Sequence, residues 1–166
     1  MYQINDTIVY GLQGVYTIRD IISQQNRQYY ILQSVNEDGA TIFVPTDSGL
    51  AERKMRPALT ESEVMSLIEM MPDPGAEWTS CWPERKQRYQ KILEEGNRTQ
   101  MVRQIKILQI KRAELARKHR KLHLFDEQFF EQATAILSNE FSYALKIPPE
   151  QVVPFIQEHL EKISIQ

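Results

Sequence analysis

Three groups of side chains in this chain of 166 residues have types and spacings that chemistry can use. Cys81 is a candidate nucleophile, but no base partner is recognisable, so a packed or exposed thiol is the better interpretation. His119 and His123 have the four-residue spacing that binds zinc from one helix face. Zinc normally needs three or four ligands, and the flanking lysines and arginines repel a cation. We therefore expect no catalytic residue and no metal site among them.

The third group is a block of cations that begins three residues after Trp82. Residues 85–121 hold thirteen Lys and Arg but three acids, a net charge of +10, whereas the whole chain carries −2. A solvated helix face is the ordinary explanation for a charge run, but it usually mixes signs and forms i,i+4 pairs. Acids are scarce here, so we expect a polyanion as partner.

Helical spacing predicts two cationic faces within the block. Trp82 stands beside a proline that suits a helix start, and a tryptophan next to cations can wedge against or stack on bases. It can equally belong to the core, and the local sequence leaves both interpretations open. Trp78 is interpreted as a packing residue. The predicted faces consist of Arg85, Arg88 and Lys91, and of Lys111, Lys118 and Lys121.

Enzymatic motifs are absent from the sequence. It contains no GxxxxGK[ST], GxGxxG, GxSxG or HExxH pattern. A small-molecule enzyme is therefore the least favoured function, and we expect no cofactor and no small-molecule substrate. A single cysteine excludes an intramolecular disulfide framework, and no apolar run approaches the ~18 residues that span a bilayer. With no signal-peptide pattern at the N-terminus, we expect a cytoplasmic protein.

The elements that position these residues have two different periods. Up to about residue 57, short runs rich in β-branched and aromatic residues alternate with Gly, Asn and Asp, which predicts strands. Residues 36–39 carry a turn signal. Four or five strands in so few residues leave no room for helices, and the compact solution is a small antiparallel barrel of the SH3 or Tudor kind. The predicted strands lie at 6–10, 15–18, 27–35 and 40–45.

From residue 58 onward the pattern is helical. Thr60 and Glu63 form a capping-box signal, Asn97 and Gln100 can cap a later helix, and Gly96 suits a helix C-terminus. The fold class predicted is α+β by domain, with a β-barrel followed by an all-α bundle. The domains expected are 1–57 for the barrel, 58–81 for a connecting helix and a linker at 72–75, and 82–166 for the bundle.

Several short motifs occur in a fixed order along the chain. Trp82–Arg85 form a W-x-x-R pattern, and Gly96 follows fourteen residues after Trp82. The other segments are Tyr2–Tyr10, Gly14–Ile18, Tyr29–Leu32, Thr41–Thr46, Arg56-Pro57 and Ala133–Glu140. Together these motifs resemble the CarD/CdnL family of bacterial transcription regulators, which has a W-x-x-R helix with a terminal glycine. The resemblance covers essentially the whole chain, although each motif is short.

The resemblance implies a function for both parts of the chain. The N-terminal module is expected to bind the RNA polymerase β subunit through a strand edge. The helices are expected to contact promoter DNA at the upstream edge of the melted bubble and to stabilise the open complex. Trp82 matches the family's minor-groove wedge and Arg85 its phosphate-contacting arginine. The DNA-binding residues expected are Trp82, Arg85, Lys86, Arg88, Lys118 and Lys121; the polymerase-binding residues expected are Gln24, Thr41, Ile42 and Phe43.

A second hypothesis belongs to a different class of function. In it the protein is an adaptor that binds polymerase and whose basic helices bind an acidic protein instead of DNA. Under the first hypothesis, binding to free DNA is expected to be weak and largely independent of sequence, because the net charge of the whole chain is close to zero.

Overall fold

The computed structural model describes residues 1–36, 39–73, 75 and 77–165. It divides the chain into two compact units, Met1–Leu59 and Thr60–Gln166. The first unit is built mainly from strands and the second from helices, so the predicted α+β class is confirmed. Parts of the predicted turn at 36–39 and linker at 72–75, namely Glu37, Asp38 and Pro74, lie outside the described residues.

The first unit is a five-stranded antiparallel sheet with the order β4-β3-β2-β1-β5. The second strand extends to Gln24 instead of ending at Ile18 as predicted. A two-residue loop, with positive φ at Gln25 and Asn26, joins it directly to the third strand. Positive φ at both loop positions matches the right-handed twist of the flanking strands. The strands are β1 Thr7–Tyr10, β2 Val15–Gln24, β3 Arg27–Ser34, β4 Thr41–Pro45 and β5 Met55–Pro57.

Alternate residues of the strands fill the core of this unit. Ile8, Ile18 and Leu32 are completely buried and pack together with Met55 and Ala51. Ala51 belongs to α1 (Gly49–Lys54), a helix between β4 and β5 that contradicts the expectation of no helix in this region. A six-residue helix is too short to be stable by itself, so its packing on the sheet holds it and local propensity gives no signal.

The second unit contains five α-helices in its described part. The predicted caps are present: Thr60 and Glu63 form the capping box, Asn97 Oδ1 accepts from the Gln100 amide at 3.1 Å, and Gly96 ends its helix with a φ of 59°. The helices are α2 Glu61–Glu69, α3 Trp82–Glu95, α4 Arg98–Arg117, α5 Leu124–Leu145 and α6 Val152–Ser164, with a 3₁₀ turn at Pro149–Gln151 before α6.

The core of the second unit lies between α2, α4, α5 and α6. Val64 and Ile68 of α2 are completely buried, as are Leu108 of α4 and Ala133 of α5. Helix α2, which falls in the segment predicted to be a connector, thus packs as a part of the helical unit. No helix within the described ranges is long and apolar enough to cross a membrane.

Candidate functional site

The β4 strand forms one edge of the sheet, and among the described residues β3 is the strand that pairs with it. The amide of Thr46 donates to the Gln28 carbonyl at 2.9 Å, and the amide of Ser34 donates to the Ala40 carbonyl. Directly opposed residues of an antiparallel pair are alternately hydrogen-bonded and not. Ile42 and Val44 therefore bond to β3, whereas the backbone groups of Thr41 and Phe43 point away from the sheet.

The side chains of β4 alternate in the complementary way. Phe43 is 57% exposed and Thr41 is exposed, whereas Val44 is buried and Ile42 packs against the core. Gln24 is exposed at the β2–β3 hairpin, where it pairs with Arg27. Of the four residues expected to bind polymerase, Thr41 and Phe43 thus lie on an open edge. Ile42 contributes to the core, so its predicted role in binding is reduced to positioning the strand.

Trp82 is the first residue of α3 and lies on the surface of the helical unit. It is 53% exposed, and its ring packs at 6.2 Å and a tilt of 50° against Phe125 of α5. Phe125 is also contacted by His123, which stacks on it at 5.6 Å, by the Tyr89 ring at 6.1 Å and by the Arg85 guanidinium at 5.2 Å. Trp82 is therefore held at its base by one aromatic ring and leaves about half of its own surface open, so the core interpretation is not supported.

Arg85 lies inside the unit, contrary to its expected contact with phosphate. Its Nε and Nη2 donate to the two carboxylate oxygens of Asp126 at 3.0 and 2.9 Å, and its Nη1 donates to the Thr79 carbonyl. The side chains of Arg85 and Asp126 are 4% and 0% exposed. Because every face of this guanidinium is occupied, Arg85 is a structural residue and we leave it out of the proposed DNA contacts.

The same carboxylate binds the hydroxyl of Tyr89, which donates to Asp126 Oδ1 at 2.6 Å. Burial and the hydrogen bond to Asp126 raise the pKa of Tyr89 well above its ordinary value. Trp78 covers the network, with the Arg85 guanidinium 4.4 Å from its ring and the Lys111 amine 5.4 Å away. Trp78 is thus a packing residue, as predicted, and the network fixes α3 against α5.

The cationic face predicted for α3 is therefore divided. Lys86 is exposed, and Arg88 is partly exposed while it donates to the Glu77 carbonyl at 3.2 Å. Lys91 lies 3.9 Å from Glu95 on the same helix. Trp82 and Lys86 are both exposed, and because they lie four residues apart they are neighbours on the surface of α3.

The second predicted face also differs from expectation, because α4 ends at Arg117. Lys118 is the C-terminal cap and Lys121 lies beyond the helix, so the ten-residue repeat from Lys111 is broken. Residues 118–121 are all exposed in the segment before α5. This segment leads into His123, which packs on Phe125 beside Trp82.

Lys118 and Lys121 precede His123 in the chain, and the His123 ring packs on the same Phe125 that supports Trp82. We use the name Trp82 face for Trp82, Lys86, Lys118, Lys121 and His123. His119 lies after the end of α4 and His123 caps α5, so they do not share one helix face as a zinc pair would require. No group of three potential metal ligands occurs in the part of the chain that the structure describes.

The comparison with protein families agrees with the geometry of the first unit. Residues 2–57 match the model of the CarD-like/TRCF RID domain, and this unit belongs to that family of RNA polymerase-interacting domains. The resemblance to CarD-like proteins is confirmed over these residues, which include the open edge of β4. No curated protein matches the chain.

Proposed function

We propose that the protein is a transcription regulator that binds the RNA polymerase β subunit through the edge of β4 and stabilises the open promoter complex through the Trp82 face. The single observation that carries this proposal is the combination of a polymerase-interacting domain with an exposed, ring-supported tryptophan four residues before the exposed Lys86 on one helix. The first feature delivers the protein to polymerase, and the second suits DNA.

Binding to polymerase uses β-augmentation, in which a strand of the partner is added to an open sheet edge. The outward backbone groups of Thr41 and Phe43 supply the hydrogen bonds, and the exposed Phe43 ring supplies an apolar contact. Pro45 has no amide to donate, so the ladder is limited to the first part of β4. The short ladder gives a defined register for the partner strand.

The test of this step is a Phe43→Pro substitution, which removes the outward amide and the ring but keeps the bonds of Ile42 and Val44 to β3. We expect the affinity for polymerase to fall by at least about tenfold, which is ~1.4 kcal/mol. Phe43→Ala, which keeps the amide, is expected to lie between this variant and the wild type. Leu12→Ala, an exposed apolar residue of the same unit away from β4, is the control. Unchanged binding of Phe43→Pro to isolated β subunit contradicts the proposal.

Binding to DNA combines a ring with charge. An apolar wedge that enters a base step unstacks it, and this cost is lower where the duplex already opens, as at the edge of a bubble. The exposed cations of the Trp82 face contact phosphates and release counterions. A protein that binds open DNA better than closed DNA stabilises the open complex by that difference in affinity only.

The test of this step measures the lifetime of open complexes on a weak promoter. Trp82→Ala is expected to shorten the lifetime while binding to polymerase stays unchanged, and Trp82→Phe to restore part of it. Lys118→Gln and Lys121→Gln, each made singly, are expected to weaken DNA binding, with Lys91→Gln, an exposed α3 cation paired with Glu95, as the charge-matched control. If about three phosphates are contacted, log K falls with log salt at a slope of about −3.

An open-complex lifetime that Trp82→Ala leaves unaltered overturns the DNA step. Retained binding to polymerase in the same variant then leaves the polymerase step standing. Capture of an acidic protein by the basic helices, with no salt-dependent binding to fork-junction DNA, favours the adaptor hypothesis instead.

A further inference from the structure

A polar recess lies between α3 and α4 in the helical unit. Its volume is about 260 Å³, below the ~300 Å³ at which pockets for drug-sized ligands begin, so it suits a small group. Arg88 comes from α3, and Gln100, Arg103 and Gln104 come from successive turns of α4. Gly75 and Glu77 complete the lining. We call this the α3–α4 recess.

One of its side chains has a buried donor that nothing in the described structure binds, because Arg103 Nε has no hydrogen-bond partner. Gln104, the next residue of α4, is 5% exposed. A buried donor without a partner costs about 1–3 kcal/mol, so native structures rarely retain one without a reason such as a bound group.

The chemistry of the lining selects an anion. The lining contains two guanidinium groups and two side-chain amides but one carboxylate, that of Glu77, which is exposed at the rim. A second carboxylate, that of the exposed Glu84, lies 3.9 Å from Arg88 Nη2 outside the lining. Arg88 is held in place because its Nη1 donates to the Glu77 carbonyl at 3.2 Å. Guanidinium forks match oxygen pairs of phosphate in a bidentate way, and charge-assisted hydrogen bonds to phosphate are strong.

We propose that the α3–α4 recess is a binding site for a phosphate group, held by Arg88, Arg103 and Gln104. The phosphate belongs either to a small phosphorylated compound or to the DNA backbone, and both present the same oxygens. The proposal does not depend on the proposed function, because inorganic phosphate and pyrophosphate bind without polymerase or promoter. A negative result in the Trp82 experiments therefore does not contradict this phosphate site. Likewise, a failure to bind phosphate does not contradict the proposed function.

The test is calorimetric titration of the full chain with pyrophosphate and with inorganic phosphate. We expect wild-type protein to bind and Arg103→Met to weaken binding by at least about tenfold, the loss of one charged hydrogen-bonding group. Lys106→Met is the control, since it removes the same charge from α4 but lines a different, mainly apolar cavity. It is expected to change the affinity by less than about twofold.

Two further variants keep the proposal testable if Arg103→Met fails to fold. Arg103→Lys keeps the charge but removes the fork and is expected to bind pyrophosphate more weakly than wild type. Gln104→Glu places a negative charge in the recess and is expected to abolish binding. A rise of melting temperature with pyrophosphate, present in wild type and absent in Gln104→Glu, is the second readout.

Competition with a short DNA duplex distinguishes the sources. Displacement of pyrophosphate by DNA assigns the recess to the DNA backbone, and simultaneous binding assigns it to a small phosphorylated compound; either result sustains the site. No binding of pyrophosphate by wild-type protein in the millimolar range overturns it. Equal losses in Arg103→Met and Lys106→Met also overturn it, because they show attraction to net charge without a site.

Discussion

Arg85 and Lys86 are consecutive residues of α3 with the same charge and opposite surroundings. Arg85, with Tyr89 four residues later, is buried against Asp126, whereas Lys86 and Trp82 are exposed. We call the buried pair Arg85 and Tyr89 the inward face of α3 and the exposed pair Trp82 and Lys86 its outward face. The inward face fixes the helix to α5, and the outward face is open to a ligand.

The difference shows why a count of cations overestimates a binding surface. Arg85 contributes to the +10 of the basic block, yet its charge is neutralised within the unit by a bidentate pair. Substitutions on the inward face should therefore change stability, and substitutions on the outward face should change DNA binding. Each group should have little effect on the other property. Four substitutions test this division.

The largest effect on stability is expected for Asp126→Ala. Breaking a buried ion pair leaves the Arg85 charge and the Tyr89 hydroxyl without their partner, and such losses cost about 3–5 kcal/mol. Chemical denaturation measures the change in the free energy of unfolding. A loss below about 1 kcal/mol would show that α3 is held by its apolar contacts alone.

Tyr89→Phe is expected to lower the free energy of unfolding by less than Asp126→Ala does. It removes one hydroxyl and keeps the ring stacked on Phe129 at 4.2 Å. The loss is one hydrogen bond to a charged group, about 1.5–3 kcal/mol. The wild-type pKa of Tyr89 lies above the ordinary value of 10.0, so this group stabilises the folded state below pH 10.0. As the pH rises beyond that value, the unfolded state loses the proton first and this stability is lost.

Denaturation of both proteins at neutral pH and above pH 10.0 checks the sign. The difference in unfolding free energy between wild type and Tyr89→Phe should shrink as the pH rises. A difference that grows with pH contradicts the assignment of the raised pKa to Tyr89.

The division between faces follows only partly from the sequence. Helix caps such as the Thr60–Glu63 box were predicted because both partners lie within one turn. The role of Arg85 was not, because Asp126 is 41 residues away and no local pattern joins them. The position of Lys121 was missed for a related reason, since α4 ends before the cationic repeat does and no glycine or proline marks its end.

A smaller effect is expected for Glu127→Gln, one residue after Asp126. Glu127 pairs with Arg112, but both side chains are partly exposed, at 31% and 42%. Ion pairs in contact with solvent contribute about 0–1 kcal/mol and are weakened by salt. Denaturation at low and high salt should show a small loss that disappears in high salt. A loss as large as that of Asp126→Ala would place Glu127 in the same buried network and remove the distinction.

Trp82→Ala is expected to lower stability by less than Asp126→Ala, although its effect on DNA binding is the largest. The ring contacts Phe125 on one side and is 53% exposed, so truncation loses one aromatic contact of about 0.5–1.5 kcal/mol and part of the burial of an indole. Thermal unfolding measures the stability of this variant, and the open-complex lifetime measures its DNA binding, both in one protein preparation. A Trp82→Ala protein that loses as much stability as Asp126→Ala would assign Trp82 to the inward face. In that case any loss of DNA binding reports a damaged helix, and Lys86→Gln, which touches only the outward face, decides whether that face binds DNA.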